Sequence, residues 1–167
     1  MPSRRLIALT LAFVFAAPGA AHAQGIVPGQ SKLRDNGIGK VFTGMTIKKA
    51  RKAAGIPLER SRVGDCVYLT ATPGSPEGPS LRFHNGKLRH VSVGRSGYAT
   101  KRGVEVGDRA RKVRRLYRRL TSRPNLGGGR ELVFKRGRHR LIFALAQGRV
   151  YRISGGRAPW VLQQECV

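Results

Sequence analysis

Acidic residues are scarce in this chain: 8 Asp and Glu stand against 33 Lys and Arg in 167 residues, a formal net charge of +25. The few acids are spread singly, so no pair is placed to work as acid and base across a glycosidic bond. Cysteine is limited to Cys66 and Cys166, without CxxC or a neighbouring histidine, which excludes a zinc finger or ribbon. HExxH and GxSxG are both absent, and the GIGK stretch at 37–40 lacks P-loop spacing and the following Ser or Thr. Aromatics make up only 7% of the chain, and no helix-turn-helix or aromatic RNA-reading strand is present. These absences argue against sequence-specific nucleic-acid recognition, a metal, a cofactor and an active site.

The N-terminus has a basic start at Arg4 and Arg5, an apolar run from Leu6 to Ala17, and a small-x-small site at Ala21, His22 and Ala23. This pattern predicts a signal peptide over 1–23, cut near Ala23, with a retained anchor as the alternative. The run is short for a bilayer span. Gln24 rather than Cys follows the cut, which argues against lipidation. The expected product is secreted, extracellular or associated with the cell envelope. In such an oxidising compartment Cys66 and Cys166 form a disulfide, a free thiol being the alternative. The bond would close a loop of 100 residues, for which chain entropy suggests about 4–5 kcal/mol.

The rest of the chain reads as one motif written twice. Val41–Ala54 (VFTGMTIKKARKAA) aligns with Val104–Tyr117 (VEVGDRARKVRRLY) when Gly44 is set on Gly107, and His84–Arg95 aligns with Ala146–Arg157 when Gly86 is set on Gly148. Gly44 to Gly86 spans 42 residues and Gly107 to Gly148 spans 41, so two anchors hold register to within one residue. Residues 24–40, with four glycines, read as a flexible leader, with a short helical turn at 32–36. In the first repeat, 41–98, Thr46 caps a helix over Ile47–Ala54 that Gly55 and Pro57 stop. A strand over Cys66–Ala71, a long loop at 72–79 and a hairpin about Asn85 and Gly86 follow. In the second repeat, 99–157, Asp108 caps a helix expected over Arg109–Leu120, with Ala110, Val113, Leu116, Tyr117 and Leu120 as its inward stripe. Strands over 131–135, 140–146 and 150–153 complete it, and a C-terminal tail, 158–167, is tied back by the disulfide. In both final hairpins the apolar positions fall at +2 and +5 from the turn glycine (Leu88 and Val91; Val150 and Ile153), an odd spacing that predicts a bulge.

Gly44, Met45, Thr46, Phe83, Gly86, Leu88 and Val91, matched by Gly107, Asp108, Leu145, Gly148, Val150 and Ile153, carry a family resemblance. The pattern resembles the small α-β-β-β unit of the outer-membrane assembly lipoproteins. Two units in tandem resemble the layout of the secreted beta-lactamase inhibitory proteins, whose sheets join into one binding surface. The resemblance runs from Phe42 to Arg157 and implies a fold, not a ligand. The chain departs from it in lacking a lipid-acceptor cysteine, in its few aromatics and in its charge, so inhibitory contacts do not carry over. The expected fold is thus α+β, with two tandem helix-plus-three-stranded antiparallel meander repeats forming one domain.

Function is expected on the basic helix faces: Lys48, Lys49, Arg51 and Lys52 on the first, Arg111, Lys112, Arg114, Arg115, Arg118 and Arg119 on the second. Like charges at i, i+3 and i+4 destabilise a helix, and a bound polyanion relieves them. The expected partner is an anionic polymer or an anionic lipid surface, and the alternative is a charge kept for solubility. A protein partner gripped through the sheet face, as by an inhibitor or adaptor, is the second hypothesis. His84 and His90 flank one hairpin without a third ligand or carboxylate beside them, and read as solvated strand or turn residues.

Overall fold

Leu33, Ile38 and Val41 are completely buried, although tight turns separate them and no periodic pattern marks them. The computed structural model describes residues 26, 29–71, 78–125, 128–159, 161 and 166. The signal peptide expected over 1–23, most of the loop expected at 72–79, and Trp160 lie outside the described residues. Leu33–Arg34 (β1), Gly37–Ile38 (β2) and Val41–Phe42 (β3) pair antiparallel as a small three-stranded sheet. Part of the stretch read as a flexible leader is therefore folded. Leu33 anchors it by donating its N–H to Ala99 O (2.9 Å) and accepting at its carbonyl from Lys101 N (3.2 Å).

The next elements are α1 (Ile47–Ala54), β4 (Glu59–Val63), β5 (Cys66–Thr70), β6 (Ser80–His84) and β7 (Lys87–Val93). After them come α2 (Ala110–Leu116), β8 (Thr121–Pro124), β9 (Arg130–Arg136), β10 (His139–Ala146) and β11 (Arg149–Arg157). The eight later strands form one continuous sheet in the order β4-β5-β6-β7-β11-β10-β9-β8. This overturns the expected α+β arrangement of two helix-plus-three-stranded meanders. Among the described residues the protein is mostly β, the two helices have only 8 and 7 residues, and four strands follow each helix. Within this sheet, the strands missing from the expectation are the two edges, β4 and β8. Every residue of β4 is exposed and β8 buries none of its residues. With both faces wet, neither strand needs the apolar alternation by which a strand is recognised.

The two halves join where β7 pairs with β11 antiparallel, from Ile153 opposite Val93 to Gly156 opposite His90. Each half then repeats one set of local solutions. Asn85–Gly86 and Gln147–Gly148 turn their hairpins with positive φ at both residues (50 and 68°; 49 and 72°), the geometry that suits the right-handed twist of paired strands. Register slips by one residue beyond each turn, between Arg82 and Phe83 and between Ala144 and Leu145. Arg89 and Tyr151 are the extra residues, so the +2/+5 spacing marks a real bulge. Main-chain bonds clip each helix entry to its hairpin. Gly44 N donates to Leu88 O and Leu88 N to Met45 O, both at 2.8 Å; Gly107 N donates to Val150 O (2.7 Å) and Val150 N to Asp108 O (2.9 Å).

Both helices lie on one face of the sheet, over a single core that includes Phe83, Leu88, Val91, Val113, Phe143, Val150 and Ile153. Thr46 caps α1, its Oγ1 accepting from Lys49 N at 3.4 Å, and Gly55 ends it in the left-handed region. The second helix departs from expectation at both ends. Arg109 rather than Asp108 stands at the N-cap, without a side-chain cap. Asp108 instead accepts from Glu105 N (2.7 Å) and pairs with Lys112 Nζ (2.8 Å). At the other end Tyr117 leaves the helix with extended backbone and sinks into the core, 5.2 Å from the Phe134 ring and 5.0 Å from that of Phe143. Aromatic packing there replaces another helical turn that would add Arg118 and Arg119 to a crowd of like charges.

Among the described residues, the opposite face of the sheet carries no helix. Val161 packs on it against Val133 and Ile142, and Cys166 reaches β5 to form the disulfide with Cys66, S–S 2.02 Å. Tyr68 Oη lies 3.2 Å from Cys166 Sγ and seats the bond. Gly155 and Gly156 permit close approach on both sides of β11. A Cβ at Gly155 would strike the Arg34 carbonyl oxygen on the core side, and one at Gly156 would meet Arg89 O and Val161 on the open side.

Candidate functional site

The basic residues read from sequence do not form one patch. On α1, Lys48, Lys49, Arg51 and Lys52 are all exposed, while Ala50 and Ala54 of the same helix are buried against the core. Arg51 is partly committed, its Nη2 donating to Leu58 O at 3.3 Å. On α2, Arg111, Arg114 and Arg115 are exposed and Lys112 is half-buried in its ion pair with Asp108. Arg118 and Arg119 are exposed but lie beyond the helix end at Leu116, and Arg119 takes a positive φ of 60°. They do not continue the helical face.

Three of the expected residues do converge. Arg111, Lys112 and Arg115, with Arg109 and Arg149, surround a depression of about 250 Å³ floored by Gly107 and Asp108. Its geometry follows from the clip between the α2 entry and the β10–β11 hairpin. Arg109 forms a β-bridge with Arg149, and Arg149 Nη1 donates to Gly107 O at 3.0 Å. Asp108 is the one carboxylate in this lining, and Lys112 already pairs with it. Arg149 was missing from the expected set. Its signal was its place after the turn glycine Gly148, equivalent to Lys87 after Gly86; Lys87 likewise bridges Thr46 at the entry to α1.

A second cavity, of about 400 Å³, opens on the helix-free face of the sheet. Tyr68, Thr70, Ser80, Arg82, His90, Ser92, Arg152 and Ser154 line it, with Glu131 and Tyr151 at its β9 and bulge side. Strand alternation puts these residues opposite the core: Tyr68 and Thr70 flank buried Leu69, and Arg152 and Ser154 flank buried Ile153. Cross-strand register puts Arg82 opposite His90 and not His84 opposite His90, so the two histidines of the hairpin are not brought together. Burial, followed by the charges of Arg82 and Arg152, lowers the His90 pKa from 6.5 to about 3. The imidazole is therefore neutral throughout the physiological range. Glu131 accepts from Arg123 twice, from Nε at 2.7 Å and from Nη2 at 2.6 Å.

Among the described residues, no group of His, Cys, Asp and Glu is placed to hold a metal ion. His139 is used structurally, its Nε2 being 3.0 Å from Thr43 Oγ1. No family model, curated protein or solved structure matches the chain.

Proposed function

We propose that this is a non-enzymatic binding protein, exported and then secreted or held at the cell envelope, that engages an anionic partner through its Arg/Lys-rich helix faces. The partner is an anionic polymer or an anionic lipid surface, bound without sequence-specific reading of nucleic acid. The observation that carries the reading is the gathering of Arg109, Arg111, Lys112, Arg115 and Arg149 about one depression with Asp108 as its one acid. Cations held this close repel one another, and a phosphate or carboxylate chain laid across them offsets the repulsion and releases its own counterions. The Cys66–Cys166 disulfide suits an oxidising destination.

The experiment is a salt series of binding to anionic wall polymer, anionic vesicles and duplex DNA, comparing the protein with an Arg109, Arg111, Arg115 and Arg149→Gln variant. Each lost phosphate contact lowers the slope of log K against log salt by about 0.9 on duplex DNA, so four together lower it by about 3–4. Equal slopes for the two proteins would remove the patch from function. The second reading, an inhibitor or adaptor that binds another protein through its sheet, is favoured by one observation. The helix-free face carries a cleft beside Tyr151, an aromatic residue 41% exposed. It predicts saturable 1:1 binding that resists salt.

A further inference from the structure

We propose that the duplication makes this protein bivalent. Lys48, Lys49 and Lys52 of α1 form, with Lys87 of β7, a second cationic site, and one phosphate- or carboxylate-bearing polymer spans this site and the patch at α2. Bivalency rests on reading the α2 patch as an anion site. It adds a second site and sets a minimum length on the partner, which is then a polymer rather than a lipid surface.

Both sites are built on the same clip. An isolated bridge joins Thr46 to Lys87 at the entry to α1, as another joins Arg109 to Arg149 at the entry to α2. The main-chain bonds linking Gly44 and Met45 to Leu88 repeat those linking Gly107 and Asp108 to Val150. Setting Gly44 on Gly107 and Gly86 on Gly148 puts Lys48, Lys49, Lys52 and Lys87 where the second repeat has Arg111, Lys112, Arg115 and Arg149. Those four surround the depression at α2, and the shared backbone gathers their lysine equivalents at α1. Met45 stands where Asp108 does, so the first site has no acid in that place. The Lys49 N–H is taken by the Thr46 cap, which leaves side chains, not the helix end, to hold the anion.

All four lysines are exposed. Among the described residues the ion pairs are Lys112–Asp108, Arg123–Glu131 and Arg136–Asp35, so neither Glu59 of β4 nor Asp65 of the turn after it pairs with these lysines. Glu77 and Glu165, outside the described residues, adjoin Gly78 and Cys166, which sit on the helix-free face. The two sites lie at opposite ends of the helix-bearing face, because β7 and β11 run antiparallel and each begins at its own site. Lys87 is six residues before Val93, Val93 pairs with Ile153, and Arg149 is four residues before Ile153. At about 3.3 Å per residue, and less at the two bulges, the sites are about 25–30 Å apart. The exposed large apolar side chains among the described residues, Val63 and Tyr151, belong to the other face: Val63 pairs with Cys66, and Tyr151 lines the cleft there. The helix-bearing face thus offers charge without an apolar anchor, which suits a hydrated chain rather than insertion into a bilayer. A chain long enough to reach both sites binds the second at a high effective concentration.

The test uses duplex DNA as a rigid ruler, in hairpins of about 5 and about 20 base pairs, about 17 and about 70 Å long at about 3.4 Å per base pair. Binding of the full, disulfide-intact protein is followed by fluorescence anisotropy over a salt series. The Lys48, Lys52 and Lys87→Gln variant should bind the long duplex about tenfold more weakly, with a slope of log K against log salt lower by about 2–3, and the short duplex only about twofold more weakly. The Lys48, Lys52 and Lys87→Arg variant keeps the charge and should bind the long duplex at least as tightly as the parent protein. The Arg109, Arg111, Arg115 and Arg149→Gln variant should lose affinity for both lengths. If it does, and the lysine-to-glutamine variant binds the long duplex like the parent, the α2 patch stands as an anion site and bivalency is refuted. Equal losses on both lengths in the lysine-to-glutamine variant would also overturn bivalency, since those lysines would then act without being spanned. An arginine variant that binds both lengths like the parent would instead remove the α2 patch itself. Binding of anionic vesicles but of neither duplex would put a membrane in place of the polymer and overturn the proposal.

Discussion

His90 makes this protein's stability sensitive to acid in a way that can be isolated. The perturbation is His90→Gln, which keeps a hydrogen-bonding side chain but removes the titration. In the unfolded chain the imidazole takes up a proton as pH falls through its ordinary 6.5, whereas in the folded protein it resists protonation until about 3. Between those values the unfolded state binds more protons than the folded one. The stability due to the neutral, buried ring is therefore complete above 6.5, falls as pH drops through the window, and levels off below about 3. Each pH unit within the window corresponds to about 1.4 kcal/mol, giving a ceiling of about 5 kcal/mol. His90 is half-buried and lines the cleft, and solvent there brings the expected loss to roughly 2–5 kcal/mol. The assay is urea unfolding from pH 7 to 3.5 for both proteins, read as the difference between them. That difference cancels the ion pairs Lys112–Asp108, Arg123–Glu131 and Arg136–Asp35, which both proteins share. The parent protein should lose stability relative to the variant as pH falls. Parallel curves would refute both the neutral ring and the electrostatic account of the cleft that surrounds it.

Two further predictions test the scaffold. Cys166→Ser should cost about 2–5 kcal/mol in unfolding free energy, since it reopens a loop of 100 residues and removes the sulfur that Tyr68 contacts. Mass spectrometry of the unreduced parent should find no alkylatable thiol, and two would contradict the bond. Gly155→Ala should cost about 1–3 kcal/mol because the added methyl meets the Arg34 carbonyl. It should also speed amide exchange at Leu33 and Lys101, whose N–H groups tie β1 to the segment at 99–101. Exchange no faster than in the parent protein would show that β1 does not depend on that close approach.

Legibility in the sequence follows a physical division. Turn residues and bulges are local, so Asn85–Gly86, Gln147–Gly148 and the phase breaks after them could be read without a structure. So could the cysteine pair, because two cysteines allow one partner. The leader was misread because its order is tertiary. Leu33 and Ile38 show no period of their own and are buried by the body of the protein rather than by neighbours in the chain. The second helix was read too long because Tyr117 suits a helical stripe and a core aromatic equally well, and contact with Phe134 and Phe143 decides between them. The cationic patch was half legible: Arg111, Lys112 and Arg115 come from one helix, but Arg149 arrives through a main-chain clip from a distant hairpin. The cleft was not legible at all. Thr70, Ser80, Ser92 and Ser154 are ordinary outward-facing strand residues in sequence, and only the pairing of four strands sets them side by side.

The seam between β7 and β11 has a consequence for how the chain comes to be folded. It joins residues 90–93 to residues 153–156, so the middle of the eight-stranded sheet is made by some of its most distant partners. Pairing over such a separation is slow, because the intervening chain must be ordered before the contact rewards it. During synthesis the first half can assemble β4 to β7 and must then present the inner edge of β7, with its main-chain groups unpaired, until β11 follows. An unfilled edge in mid-sheet is where chains join wrongly, to a copy of themselves or to a neighbour. The dense positive charge on the same molecule keeps copies apart during that interval, and so guards the sheet before it is closed.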